Sequence, residues 1–132
     1  MPGADLDFLR GGYEAIQRGD LETFTTLSRE RLAPTFEFHQ VWDGRVLHGL
    51  EGTLEWLRDT SETWDDYSQE IEEITDLGGG KALVVIRISA RGGGSGVPVA
   101  QELAVVWWFE DGQAVLARSF TSRDEALEAA GV

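Results

Sequence analysis

The strand predicted over residues 99–109 restricts the possible folds of this chain more than any other segment does. Its sequence, VAQELAVVWWF, is apolar on both faces. Side chains alternate across a strand, so every second residue shares a face. One face carries Leu103, Val105, Trp107 and Phe109, and the other carries Ala104, Val106 and Trp108. A strand of this kind must be covered on both sides. We expect helices to cover one face and a second subunit to cover the other.

The first half of the chain predicts three helices that can supply one of these covers. Apolar residues at helical spacing form a stripe over residues 4–18, at Leu6, Leu9, Tyr13 and Ile16. A second, shorter stripe follows Asp20, a residue type that caps the start of helices. Residues 49–64 predict a third helix, with one apolar side at Leu50, Leu54, Leu57 and Trp64, and with Trp56 near its edge.

Strand patterns occupy most of the remaining chain. Residues 35–42 alternate, with Phe36, Phe38 and Trp42 on one face and His39 on the other. Further strands are predicted over residues 67–75, 81–91, 99–109 and 114–120, and the S-x-x-E pattern at Ser122 starts one short final helix. Helices first and hairpin-connected strands afterwards indicate an α+β fold with an antiparallel sheet. At 132 residues the chain is predicted to form a single domain over residues 1–132.

Charge and residue types exclude several classes of partner. Lys and Arg number 11 against 24 Asp and Glu, which gives a formal charge of −13. Nucleic acids and anionic membrane surfaces attract clustered basic residues, so neither is an expected partner. The chain has no cysteine, which excludes disulfides and cysteine-based zinc sites. It shows neither a secretory signal pattern nor an apolar run near the ~20 residues that span a bilayer, so we expect a cytoplasmic location.

Residues spread along the chain resemble a known family when they are taken in order. They are Tyr13-Glu14-Ala15 and Gly19-Asp20 at the first helix junction, Phe36-Glu37-Phe38 on the first strand, Gly49-Leu50-Glu51-Gly52 at the third helix, Val106-Trp107 before Asp111-Gly112, and Arg123 to Gly131 at the end. This ordered set resembles the SnoaL-like (polyketide cyclase-like) family of the nuclear transport factor two-like superfamily. The resemblance covers nearly the whole chain.

The resemblance implies a cone-shaped domain, in which a strongly curved antiparallel sheet wraps around three helices from the N-terminal half (a cystatin-like α+β barrel). It also implies a pocket at the wide end of the cone and a homodimer built on the outer sheet face. Members of the family include polyketide cyclases, ketosteroid isomerases, epoxide hydrolases and dehydratases. The fold alone therefore does not give a function.

The catalytic residues of ketosteroid isomerase do not carry over to this chain. By resemblance, its tyrosine donor would fall near Gly12, one residue from Tyr13, and its general-base aspartate at or beside Phe38. Its protonated aspartate would fall at Ala104 or Val106. The isomerase mechanism needs a base and two oxyanion donors. We therefore expect this chain to lack that mechanism.

His39 and Glu102 are the candidates for acid–base chemistry. A histidine exchanges protons near neutral pH, and a carboxyl group in an apolar pocket has a raised pKa that suits the same task. The competing interpretation places His39 on the outer face of its strand and Glu102 at a solvated rim. A metal site from His39, His48 and Glu51 would need three converging ligands, which nothing in their spacing requires. No metal or cofactor is expected.

An excess of aromatic residues favours a pocket for a small hydrophobic molecule. Five tryptophans in so short a chain exceed the needs of a core, and large aromatics often line ligand cavities. The predicted ligand-binding residues are Tyr13, Phe38, Trp42, Trp56, Val106, Trp108 and Arg118. An ion pair of Arg118 with Glu102 or Asp111 is the alternative for that side chain. The first hypothesis is thus a small-molecule-binding domain. A cofactor-independent acid–base enzyme (of cyclase, isomerase, dehydratase or hydrolase type) and a protein-interaction module with a filled core are the alternatives.

Overall fold

A computed structural model of the chain describes residues 2–41, 44–92 and 98–132, and its first three helices lie where the apolar stripes predict them. They are α1 (Pro2–Gln17), α2 (Leu21–Arg31) and α3 (Gly49–Thr63). The predicted cap is present, because the Asp20 carboxylate accepts hydrogen bonds from the backbone N–H and the hydroxyl of Thr23, at 3.1 and 2.6 Å. Gly19, at φ +72°, lets the chain turn between α1 and α2. None of the helices described here combines the length and the apolar character needed to cross a membrane.

Within the described ranges, six strands form one curved, open sheet. They are β1 (Leu32–His39), β2 (Val46–His48), β3 (Trp64–Gly78), β4 (Lys81–Gly92), β5 (Pro98–Glu110) and β6 (Gln113–Phe120). They lie side by side in the order β2-β1-β6-β5-β4-β3. Neighbouring strands are antiparallel except β1 and β6, which run parallel. The α+β class is confirmed, and the sheet is mixed and unclosed. A parallel pair needs a long connection, which the chain from β1 through α3 to β6 provides.

The inner face of the sheet, which packs against α1, α2 and α3, holds the main core. On β5 this face carries four side chains that are each less than a tenth exposed, namely Leu103, Val105, Trp107 and Phe109. The ring of Trp107 stacks on Phe36 with 5.5 Å between centroids and meets Tyr13 edge-on at 6.2 Å. The helices therefore provide the first of the two covers predicted for β5.

A fourth helix, α4 (Arg123–Ala129), covers the apolar part of the opposite, outer face. Its Ala126 and the following Ala130 pack in one buried cluster with Leu83, Val85, Ala104 and Val106. The Lys81 ammonium donates to the carbonyl oxygen of Ala130 at 2.6 Å, and the Arg123 guanidinium binds the Glu73 carboxylate at 3.0 and 3.1 Å. The second cover of β5 thus comes from the same chain. The homodimer stays a prediction, but this strand no longer requires it.

Two adjacent glycines in the interior of α1 give a stability test of helix packing. A methyl group on Gly12 would meet Phe24 carbons at 3.9 and 4.0 Å, which is ordinary contact. Gly12→Ala is therefore expected to raise the free energy of unfolding by about 0.5–1 kcal/mol, because alanine loses less backbone entropy in a helix. Chemical denaturation of the variant measures this change.

Gly11 is the matched control, since its added methyl would lie only 3.2 Å from the Leu27 Cδ1 atom. The crowding should cancel part or all of the helix-propensity gain in Gly11→Ala. A larger gain for Gly11→Ala than for Gly12→Ala would contradict the packing of α1 on α2 described above.

Candidate functional site

A cavity lies between the three helices and the inner face of the sheet. Its volume is about 60 Å³, and most of its lining side chains are aliphatic or aromatic. A single water molecule needs roughly 10–15 Å³, so the cavity has room for several waters or for a small organic molecule. Of the described lining residues, Ile16 and Gln40 are partly exposed, and they mark where the cavity approaches the surface.

A cluster of aromatic rings forms one wall of the cavity, with Trp107 at its centre. The ring of Trp107 lies 5.5 Å from both Phe36 and Phe38, stacked on the first and edge-on to the second. Phe8 also meets it edge-on, at 6.4 Å. Aromatic pairs in these two arrangements are favourable beyond the area they bury. The wall is therefore a packed and rigid surface.

One hydrogen bond inside this wall orients a tyrosine hydroxyl. The Trp107 Nε1–H donates to the hydroxyl oxygen of Tyr13 at 3.2 Å, and both side chains are buried. No described residue accepts the proton of that hydroxyl, so Tyr13 keeps a donor for another partner. Burial raises the pKa of Tyr13 well above its usual range, with the Trp107 hydrogen bond opposing the shift. The group therefore stays a neutral donor at physiological pH.

Two further polar groups of the lining have no hydrogen-bond partner among the residues that the structure describes. The Nε2–H of Gln69 donates to the Tyr67 hydroxyl oxygen at 2.7 Å, whereas the Gln69 Oε1 atom is buried and unpaired within the described part of the chain. The Ser28 hydroxyl on α2 is fully buried and equally unpaired there. Burial also raises the pKa of Tyr67 to about 12. Buried polar groups are normally hydrogen-bonded, so these two call for an explanation.

The described lining of the cavity is uncharged. None of the residues that the structure describes around the cavity is Asp, Glu, His, Lys or Arg. Besides the indole N–H groups of its tryptophans, the polar groups present are hydroxyls and amides, on Tyr13, Ser28, Gln40, Thr53, Gln69 and Ser119. Such groups bind and orient a ligand through hydrogen bonds. They are poor general bases at neutral pH.

Neither histidine lines the cavity, since His39 lies on the opposite face of β1 from Phe38 and His48 lies on the neighbouring strand β2. His39 Nε2 is 3.0 Å from Glu37 Oε1, and His48 Nδ1 is 3.7 Å from the other oxygen of the same carboxylate. The His39 side chain is 41% exposed. The catalytic placement of His39 is therefore corrected, because strand alternation sends it outward when Phe36 and Phe38 face the helices. No cluster of three His, Cys, Asp or Glu side chains in the described ranges could hold a metal ion.

The prediction that Glu102, Val106 and Trp108 face the cavity is corrected. These residues lie on the outer face of β5, whereas the inner face lines the cavity. Val106 is buried, but in the outer cluster under α4, and Trp108 is partly buried beside it. Glu102 is exposed on the same outer face, where a hydrogen bond shared with Glu72, and then the charge of Glu72, raise its pKa. Its charge is itself the signal that this face of the strand points away from the core.

Arg118 is corrected as well, since it does not line the cavity. Its guanidinium lies 5.3 Å from the ring centroid of Phe120, and the residue is exposed. Trp42, another predicted ligand contact, lies outside the described residues. Tyr13, Phe38 and Trp56 do line the cavity, as the prediction placed them.

Sequence reasoning missed Ser28, Phe36, Gln69 and Trp107 as lining residues. For Ser28 and Gln69 a signal was available. Ser28 follows Phe24 at helical spacing on the buried side of α2, and Gln69 lies between Tyr67 and Ile71 on one face of β3. A polar residue at a position that the pattern assigns to the core is the feature that singles them out.

Comparison with known proteins agrees with this architecture. A family model described as the SnoaL-like domain matches residues 9–117. An NTF2-like (nuclear transport factor two-like) protein from Burkholderia thailandensis has 20% identity over 96% of each chain and a TM-score of 0.77. A proposed polyketide cyclase from Sinorhizobium meliloti has 24% identity over 86% of this chain and 94% of its own, with a TM-score of 0.66.

A third solved structure, that of IdmH from Streptomyces antibioticus, matches the full length. This proposed polyketide cyclase is 22% identical over 100% of this chain and 99% of its own, with a TM-score of 0.69. No curated protein sequence matches the chain. At these identities the structural likeness supports the fold and not a shared activity.

Proposed function

Because the chain belongs to the SnoaL-like domain family, we propose that it binds a small, mostly apolar molecule in the cavity between its helices and the inner face of its sheet. The observation that carries the proposal is the lining of that cavity, which is aromatic and aliphatic with a few uncharged polar groups. Apolar pockets with a small number of convergent polar groups are the usual form of small-molecule sites. Tyr13, Phe38 and Trp56 would contact the ligand together with Phe36 and Trp107.

The size of the cavity limits the ligand. Its volume of about 60 Å³ is far below the roughly 300 Å³ at which drug-sized pockets begin. The enclosed part therefore suits a fragment such as one ring with a short substituent. A larger ligand would extend past Gln40 or Ile16, where the lining is partly exposed.

A cofactor-independent acid–base enzyme is the second candidate, and the Tyr13 hydroxyl is the observation that favours it. A neutral donor held by Trp107 at 3.2 Å can stabilise a developing oxyanion. Proton abstraction also requires a base. The two sequence candidates for that role, His39 and Glu102, lie outside the cavity, so binding is the better supported function.

The subunit arrangement and the location are also proposals. A homodimer through the outer sheet face would place α4 and its charged surroundings, such as the Arg123–Glu73 pair, in the interface. Size-exclusion chromatography with light scattering measures the subunit number. We also propose a cytoplasmic location, as the sequence predicts.

Native mass spectrometry of the protein as purified, against a denatured control, is the first test of binding. We expect a small-molecule adduct that is lost on denaturation, or, if the site is empty, saturable binding of toluene in an NMR titration. The absence of both an adduct and toluene binding would contradict the proposal.

A cavity-filling variant locates the bound molecule. Val105 lies on the inner face and lines the cavity, so Val105→Phe should lower toluene affinity by about tenfold or more. Val46→Phe adds the same atoms at an exposed position on β2 and should leave the affinity unchanged. Wild-type affinity in a folded Val105→Phe protein would place the binding site elsewhere.

A further inference from the structure

Within the proposed binding function, on which this inference rests, we infer that Gln69 is a specificity-determining residue that selects uncharged ligands carrying a hydrogen-bonding group. Ser28 and Tyr13 assist it from the helix side of the cavity. The ligand class is thus a small ring bearing a neutral hydroxyl or amide, and not a carboxylate or an ammonium ion.

Gln69 presents a free polar atom at a fixed place in the cavity wall. The residue is 6% exposed, and its Nε2–H group is anchored to the Tyr67 hydroxyl at 2.7 Å. The anchor leaves Oε1 as an unpaired acceptor among the described residues. Rotating the amide by 180° would exchange the two ends and leave one of them free again. In either orientation a neutral polar group is available to a ligand.

The Ser28 hydroxyl is also unpaired among the described residues, unlike the other hydroxyls of α2. The hydroxyls of Thr25 and Thr26 donate to backbone carbonyls four residues earlier, at 2.6 and 3.0 Å. The carbonyl oxygen four residues earlier is a usual hydrogen-bond partner of a Ser or Thr hydroxyl in a helix. Ser28 makes no such bond, although it is fully buried. Its hydroxyl is therefore left for the contents of the cavity.

The absence of charge in the described lining decides between neutral and ionised ligands. A buried carboxylate or ammonium without a counter-ion is far more costly than a buried neutral polar group. An amide and two hydroxyls can satisfy a ligand hydroxyl but cannot neutralise an ion. The formal charge of −13 further opposes anions at long range.

Four probes that share one skeleton test this selection on the unmodified protein. They are benzyl alcohol, toluene, benzoate and benzylammonium, each titrated by NMR. We expect benzyl alcohol to bind about tenfold more tightly than each of the other three. Equal binding of benzyl alcohol and toluene, or tighter binding of either ion, would overturn the inference. Toluene binding alone would leave the proposed function standing, whereas failure of all four probes together with the absence of an adduct would remove both.

The Gln69→Met variant tests whether Gln69 produces the preference for benzyl alcohol. The variant should lose the preference for benzyl alcohol over toluene while its toluene affinity stays within about twofold. Gln17→Met, at an exposed position on α1, is the matched control and should retain the preference. A folded Gln69→Met protein that keeps the full preference would overturn the role of Gln69. Ser28→Ala supplies a second variant on the opposite wall, with a smaller loss of the same preference expected.

Discussion

Replacing Trp107 with alanine is expected to lower the free energy of unfolding by about 3–5 kcal/mol, the usual cost of removing a large buried aromatic side chain. The ring is 7% exposed and lies 5.5 Å from Phe36 and Phe38. Its loss would also remove the indole N–H that donates a hydrogen bond to the buried Tyr13 hydroxyl at 3.2 Å. Urea denaturation followed by circular dichroism measures the change.

The neighbouring tryptophan is the control for this experiment. Trp108 points to the outer face, is partly buried, and packs against the α4 cluster. Trp108→Ala should therefore cost less, about 1–2 kcal/mol, and should leave ligand binding in the cavity intact. Trp107→Phe keeps one aromatic ring but removes the N–H donor and part of the buried indole, so its cost should lie between the wild type and Trp107→Ala. Equal losses for the two alanine variants would contradict the assignment of faces on β5.

The same pair of residues shows where sequence reasoning succeeds and where it stops. Alternation along β5 correctly separates Trp107 from Trp108, because side chains in a strand point to opposite faces. It does not say which face is the inner one when both are apolar. Glu102 on the face of Trp108 was the available clue, since an unpaired carboxylate is rarely buried.

Long-range pairing is the part of the fold that local patterns could not give. The helices and most strands were predicted from periodicity, and their positions hold. The parallel contact of β1 with β6 joins residues as far apart in sequence as Phe38 and Ala117. No spacing rule within either strand encodes that partner. The cover of the outer face by α4, at Ala126, was missed for the same reason.

The candidate site was only partly predictable from residue types. Aromatic residues pointed to Tyr13, Phe38 and Trp56, which do line the cavity. His39 and Glu102 were predicted as catalytic residues because histidine and glutamate can act as acids or bases. That property of the residue type does not depend on where the side chain lies in the fold. Burial, and not residue type, separates a solvated carboxylate from a catalytic one, and burial depends on the register of the whole sheet.

Alkaline pH is expected to destabilise the protein steeply above about pH 10, the ordinary pKa of an exposed tyrosine. The chain has two tyrosines, and burial raises the pKa of both, to about 12 for Tyr67 and further for Tyr13. Above pH 10 the unfolded chain releases protons that the folded protein retains. Each tyrosine then removes up to about 1.4 kcal/mol of stability per pH unit. Their contribution is fully present below the unfolded pKa and is lost as the pH rises through the folded pKa.

The ultraviolet absorbance of tyrosinate, recorded with circular dichroism during a pH titration, checks this prediction. Because burial raises the pKa of both hydroxyls, ionisation and unfolding should occur together in one step above pH 10. The Tyr13→Phe/Tyr67→Phe double variant should unfold at a higher pH. Tyrosinate that appears near pH 10 in a protein with native circular dichroism would mean that at least one hydroxyl is reached by water. If that hydroxyl is the one of Tyr13, which lines the cavity, the cavity is open to water and its selection against charged ligands loses its physical basis.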